Sequence, residues 1–187
     1  RWGIPYIVVG GLRFYDRREI KDLLAYLRLL VNPADTVSLL RVINVPKRGI
    51  GKTTIQRLSD AANQLGIPLW DVVSDAEAVR SLGGRSARGL LQFCELLNDL
   101  RRQVQDVVPS ELIQQVMEKS GYVGELIAEG TDEAEERRRN LQELVNAALQ
   151  YQEENEEGDL EGFLATAALS SDADSKDTAA DRVTLMT

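Results

Sequence analysis

From Asp16 to Leu169 the apolar residues return almost everywhere at three- and four-residue spacing. That regularity narrows the possible folds more than any other feature, because it is the signature of helices that each bury one face. In the first stretch Ile20, Leu23, Leu24, Leu27, Leu30 and Val31 share a face. Asp16-Arg17-Arg18-Glu19 ahead of it has the spacing of a capping box with Asp16 as N-cap, and Asn32-Pro33 ends it. The same spacing predicts a helix over 36–45 closed by Pro46. Another follows over 52–65, with Ile55, Leu58, Ala62 and Leu65 inward and Gly66 as its stop. A short helical turn is expected around 69–73 and a long helix over 85–107, ending before Pro109. Ser110 is placed to cap a helix over 111–119 that Gly121 ends, and 122–128 is short. Thr131 or Asp132 opens a charged helix to residue 154 that buries Leu141, Leu144, Val145, Ala148 and Leu149. Residues 160–169 form the last.

Only the ends depart from this pattern. Ile4–Val9 is a β-rich apolar run closed by Gly10-Gly11, which reads as a buried strand and turn. Arg182–Met186 reads as a second strand, and residues 170–181 before it are small and polar, the composition of a linker. Two such strands alone make a poor sheet. They suit the edges of a neighbouring α/β domain into which a helical domain is inserted. The chain opens on Arg1-Trp2 without a methionine, as expected of a piece of a longer protein. The fold class expected is therefore mainly α, with a small α/β remnant at the two ends.

Residue types exclude several functions. One cysteine and no histidine leave no disulfide scaffold or zinc site. Cys94 lies among Leu90, Leu91, Leu97 and Leu100 at helical spacing and reads as a buried structural thiol. No apolar run approaches the roughly 20 residues of a membrane helix, and no signal peptide is present; a cytoplasmic location fits. The net charge of −8 argues against a nucleic-acid partner until it is divided. Residues 1–57 hold eleven Lys and Arg against four Asp and Glu, a net of +7. The remaining residues hold eleven against twenty-six, a net of −15. Local field decides where a polyanion docks, so the N-terminal third is the candidate surface.

That third contains Val45-Pro46-Lys47-Arg48-Gly49-Ile50-Gly51-Lys52-Thr53-Thr54. A helix, a tight Gly-x-Gly loop and a second helix make the layout of a helix-hairpin-helix grip on a DNA backbone. Gly49 and Gly51 let the main chain approach a phosphate. The free N–H groups of the next helix point outward with its positive dipole end behind them. Lys47, Arg48 and Lys52 add charge, Thr53 or Thr54 a hydroxyl, and Ile50 a plug into the core. Such contacts position a protein on DNA without reading sequence. The competing explanation is an ordinary helix–turn–helix corner with surface lysines. Gly51-Lys52-Thr53 also ends like a nucleotide-binding P-loop, but that motif's first glycine falls on Pro46 and no strand precedes it. The carboxylates at 133–136 and 153–157 read as solvated helix faces, and Arg137-Arg138-Arg139 as a solvated turn paired with Glu133, Glu135 and Glu143. No catalytic or metal-binding constellation emerges.

Four separated segments resemble the UvrD/PcrA/Rep family of superfamily 1 helicases, in the family's order: Val9–Pro33, Ile43–Thr54, Arg137–Leu144 and Arg182–Thr187. In that family each of two RecA-like motor domains, 1A and 2A, carries a helical insertion, 1B or 2B. The resemblance implies that residues 1–32 and 182–187 are pieces of 2A, that 33–169 are the helical 2B domain, and that 170–181 link them. It implies a DNA site at Lys47, Arg48, Gly49, Ile50, Gly51, Lys52, Thr53 and Thr54, contacting duplex ahead of a fork or single/double-strand junction. Lys52-Thr53 stands where the family varies, and adds charge. Phe14–Arg17 and Glu19–Asp22 resemble a 2A motif that supports the motor near the single strand. ATP and Mg2+ belong to the full-length 3′→5′ DNA helicase, and this piece holds no cofactor. Its Walker motifs and arginine motif lie outside these residues, so the piece alone is expected to be inactive. Expected partners are duplex DNA, the other helicase domains, and repair or transcription proteins in the bacterial cytoplasm and nucleoid, but no membrane. The rival reading is a protein-interaction or autoinhibitory module whose acidic helices dock a partner or another helicase domain.

Overall fold

The computed structural model of the protein describes residues 13–180, of which 173–180 are described as helical backbone alone. The two expected strands, Ile4–Val9 and Arg182–Met186, lie outside the described residues. Within them the fold is mainly α, as the apolar spacing predicts, with ten α-helices in chain order. These are α1 (Arg18–Val31), α2 (Thr36–Val42), α3 (Lys52–Leu65), α4 (Leu69–Val73) and α5 (Ala76–Leu82), then α6 (Ala87–Arg101), α7 (Pro109–Lys119), α8 (Tyr122–Glu129), α9 (Asp132–Glu154) and α10 (Leu160–Ala180).

The core is organised around α1. Ile20, Leu23, Tyr26, Leu27 and Leu29 have no exposed surface, and the helix packs against α2, α6, α7, α9 and α10. α1, expected to belong to the α/β piece ending at residue 32, packs closely on the helical body. An amphipathic stripe in the sequence gives the width of a buried face but not which neighbours cover it.

Burial on nearly all sides also brings two carboxylates inside, Glu19 and Asp22, and each is paired, as a buried charge must be. Asp22 accepts from Arg41 Nε at 2.8 Å and from the Tyr122 hydroxyl at 2.8 Å. Burial first, and the Asp22 charge second, push the Tyr122 hydroxyl well above the ordinary tyrosine range. Glu19 accepts from Asn140 Nδ2 at 2.7 Å, and Arg17 donates to the Oδ1 of the same Asn140. That is why the capping box does not form. Asp16 sits in a 3-10 turn over Phe14–Asp16, the N-cap is Arg17 without a side-chain bond, and Glu19 is committed to α9.

Other boundaries moved for local reasons. α3 and its left-handed Gly66 stop match expectation, but Leu65 is 67% exposed. Leu149 and Val31, expected inward, are likewise exposed. α2 ends at Val42 rather than 45, and α6 runs only from Ala87 to Arg101 before turns lead to Pro109. Pro109 occupies the first turn of α7, where its missing N–H costs nothing. The N-cap is therefore Val108, and the Ser110 amide donates to Gln152 Oε1 instead of the side chain capping. Thr131 caps α9 as expected, accepting from the Ala134 amide. α5 was not foreseen, although Asp75 caps it by accepting from Glu77 and Ala78. The segment 170–181, expected to be a linker, continues α10 to Ala180. It contains no Gly or Pro and several alanines, so small polar composition did not imply a helix break.

Candidate nucleic-acid interface

Between α2 and α3 the chain from Asn44 to Gly51 folds into a hairpin with three inward supports. Asn44 supplies the first: its Oδ1 accepts from the amides of Arg48 at 2.7 Å and Ile50 at 3.2 Å. Gly49 turns through a left-handed φ of 72°, which a Cβ would disfavour. Ile50 then enters the core at 1% exposure, and burying a side chain of that size contributes about 2 kcal/mol.

The second support comes from the start of α6. Ser86 Oγ donates to the Gly49 carbonyl at 2.9 Å and accepts the Gly51 amide at 3.4 Å. A hydroxyl has one proton, so in the 3.2 Å Ser86–Thr54 contact Thr54 Oγ1 is the donor. Beside it Gly89 lies so close that a Cβ would sit 2.2 Å from the Arg48 carbonyl oxygen. Ser86 and Gly89 stand outside any motif in the sequence, and Asn44, although inside the Ile43–Thr54 segment, carries no sign there of its bracing role.

Arg48, expected among the DNA-contacting residues, is the third support. Its guanidinium turns inward and donates to the carbonyls of Val42 (3.2 Å), Ile43 (3.4 Å), Pro46 (3.2 Å) and Ser120 (3.3 Å). It also donates to the Tyr26 hydroxyl at 2.6 Å, which passes its own proton to the Val45 carbonyl. The same group lies 5.9 Å from the Tyr26 ring centroid and 5.1 Å from that of Phe93, within cation–π range. Burial pushes the Tyr26 hydroxyl up to about 12, with the Arg48 charge opposing. Five acceptors and two rings engage this half-buried cation from the inner side, so it braces the hairpin.

The outer side is different. Lys47, Gly49, Gly51, Lys52 and Thr53 are exposed, whereas Ile50 and Thr54 are buried. The first bond of α3 is Ile55 N–H to the Gly51 carbonyl, and Gly51 offers no side-chain cap. The N–H groups of Lys52 and Thr53 therefore meet no acceptor among the described residues. A Cβ on either Gly49 or Gly51 would meet nothing within 4 Å, so the main chain is open to an approaching group. The surface thus combines two lysines, outward amides and one hydroxyl, and its chemistry suits an anion. It holds no acid or base for proton transfer. Of the expected residues, the fold brings Lys47, Gly49, Gly51, Lys52 and Thr53 to one face and turns Arg48, Ile50 and Thr54 away from it.

Elsewhere several arginines are paired with carboxylates. Arg137 pairs with Glu129 at 2.9 Å and Arg138 with Glu135 at 3.0 Å, the first partner unforeseen and the second foreseen. Cys94 is buried as expected, with Sγ donating to the Val73 carbonyl at 3.0 Å and burial raising its thiol to about 12. No helix among the described residues is long and apolar enough to cross a membrane.

Over residues 1–187 the chain matches the UvrD-like helicase C-terminal domain family. It is 39% identical over 186 residues to the ATP-dependent DNA helicase PcrA of Staphylococcus aureus, and equally to that of Staphylococcus epidermidis. Each alignment covers 98% of this chain and 25% of the relative, so the chain spans about a quarter of the length of the curated relatives it matches.

Proposed function

The chain belongs to the UvrD-like helicase C-terminal domain family, and on that premise we propose that it is the duplex-gripping 2B-type region of an ATP-dependent 3′→5′ DNA helicase. The observation that carries this reading is the two-sided hairpin. Every inward group is spent on holding its shape, and every outward group suits a phosphodiester. A DNA strand approaching Lys47 and Lys52 releases counterions and meets the amides of Lys52 and Thr53 at the positive end of α3. Gly49 and Gly51 let the phosphate come against the main chain, and Thr53 supplies a hydroxyl. None of these contacts touches a base, so binding is independent of sequence.

The 2B-type unit in this proposal is residues 33–169, with residues 1–32 and 182–187 as pieces of 2A and α1 packed against the helical unit. The parent hydrolyses ATP with Mg2+ through motifs outside this region, and the region alone neither hydrolyses ATP nor unwinds DNA. Its partners are duplex DNA at a fork or junction and the other helicase domains, in the bacterial cytoplasm. The rival reading, a protein-docking or autoinhibitory module, draws on the exposed carboxylates Glu133, Glu135 and Glu136 of α9.

Salt-dependent binding decides between them. The 187-residue chain is titrated with a short fluorescent blunt duplex, beside a Lys47→Gln/Lys52→Gln variant. The proposal expects log K to fall linearly with log salt, with a slope about 1.8 smaller in the variant, at about 0.9 per phosphate contact. Equal slopes, or no binding of the unaltered chain at low salt, would reject the hairpin as a DNA grip.

A further inference from the structure

Away from the hairpin, positive charge and uncovered apolar surface meet in a groove of about 200 Å3 between α1, α2 and α10. Its floor is apolar, with Leu24, Ala25 and Ala167 each no more than 4% exposed. Alanines at 25 and 167 leave the space open, because longer side chains there would fill it. Val37 stands on the rim at 81% exposure, and Leu40, one turn further along α2, is 43% exposed. Lys21, Arg28 and Arg41 complete the rim, and all three are exposed. None of the eleven lining residues is Asp or Glu, although the chain holds 30 of these against 22 Lys and Arg.

These cations keep capacity for further carboxylates. Arg28 has no ion-pair partner among the described residues. Lys21 lies 3.6 Å from Asp16 in an exposed pair, the kind that contributes little. Arg41 gives Nε to the buried Asp22 and Nη2 to the Arg18 carbonyl, at 2.8 and 3.3 Å, which leaves Nη1. On α1, Lys21 and Arg28 are two turns apart, about 10 Å along the axis, with Leu24 and Ala25 between them. A partner helix with the pattern Glu-x-x-Leu-Leu-x-x-Glu carries its carboxylates at the same separation and its apolar residues between them on one face. We infer that this groove docks an acidic amphipathic helix of a separate protein. A small-molecule site is larger, at roughly 300–1,000 Å3. A DNA strand would engage the cations but leave Val37 and the apolar floor uncovered. A second copy would bring its own net charge of −8 towards the first. The inference does not use the DNA-grip reading of the hairpin, and either stands if the other fails.

The probe is a fluorescent, alanine-rich peptide carrying Glu-x-x-Leu-Leu-x-x-Glu, about 16 residues long so that it forms some helix alone. Its anisotropy is followed against the unaltered 187-residue chain, Lys21→Gln/Arg28→Gln and Val37→Ser. Loss of the two cations weakens binding roughly 2- to 30-fold, at about 1.4- to 5-fold for each exposed pair. Val37→Ser weakens it roughly tenfold, the worth of burying one valine. Thermal unfolding of both variants matches the unaltered chain, since the altered side chains are exposed. A peptide with Gln for both Glu, or with Gln for both Leu, binds correspondingly less. No binding of the peptide to the unaltered chain at low salt overturns the inference, as does unaltered affinity in either variant. An equal loss in Lys47→Gln/Lys52→Gln also overturns it, because the peptide would then be held by general positive charge. Sedimentation showing a dimer of the unaltered chain that Val37→Ser abolishes would place a second copy in the groove and overturn the named occupant.

Discussion

Replacing Arg48 by Met separates a brace from a DNA contact, because the two roles predict opposite results in two assays. Methionine keeps most of the side chain's apolar length and removes the guanidinium. Val42 O keeps the Val45 amide, so the loss falls on the carbonyls of Ile43, Pro46 and Ser120 and on the Tyr26 hydroxyl. A hydrogen bond from a charged donor contributes roughly 1.5–3 kcal/mol, and leaving a buried acceptor unmet costs about 1–3 kcal/mol. Arg48 is only half-buried, so water recovers part of this. A net destabilisation of about 3 kcal/mol is expected once the cation–π contacts are included. For a chain of this size that lowers Tm by about 6–12 °C, read by far-UV circular dichroism. Duplex binding below the transition weakens because the hairpin loosens, but its salt slope is unchanged, since no phosphate contact is lost. An unchanged Tm together with a slope lowered by about 0.9 would refute the reasoning and return Arg48 to the DNA face.

Further outcomes follow from the same geometry. Gly89→Ala places a Cβ 2.2 Å from a backbone oxygen, so overpacking should cost about 1–3 kcal/mol and weaken duplex binding without altering the salt slope; an unchanged Tm would contradict the close approach. Cys94 should resist a thiol-specific reagent in the native chain and react once it is unfolded in denaturant; fast native reaction would contradict its burial. Burial raises Cys94 from 9.0 and Tyr26 from 10.0, each to about 12, and raises Tyr122 further from 10.0. The unfolded chain therefore loses these protons first, and the stability they give is whole below pH 9 and declines above it. Between about pH 10 and 12 the loss is about 1.4 kcal/mol per pH unit for each group. Denaturant unfolding from pH 8 upward checks this, and a flat profile to pH 11 would contradict it.

The legible parts of the fold were those with local marks. α3 was placed to the residue because Gly51 opens it and Gly66 closes it, and Ile50 was recognised as a plug because it is the lone hydrophobe in a polar loop. The unread parts depend on partners far away in sequence. Arg48 looked like one more cation, since its acceptors converge only when α1, the hairpin and the α7–α8 junction come together. Asp16 and Glu19 had capping spacing, but Asn140, 121 residues beyond Glu19, took the carboxylate. Ser86 and Gly89 carry no local signal of contact with the hairpin. α5 is the exception, since its Asp75 cap was there to be read.

The central claim is that the outward face of the Asn44–Gly51 hairpin meets the DNA backbone. Amide chemical-shift mapping of the isotope-labelled chain during titration with a short duplex tests it most directly. The account predicts that Gly49, Gly51, Lys52 and Thr53 shift first, and that duplexes of unrelated sequence give the same pattern. Shifts centred on α9, or a pattern that changes with base sequence, would contradict it.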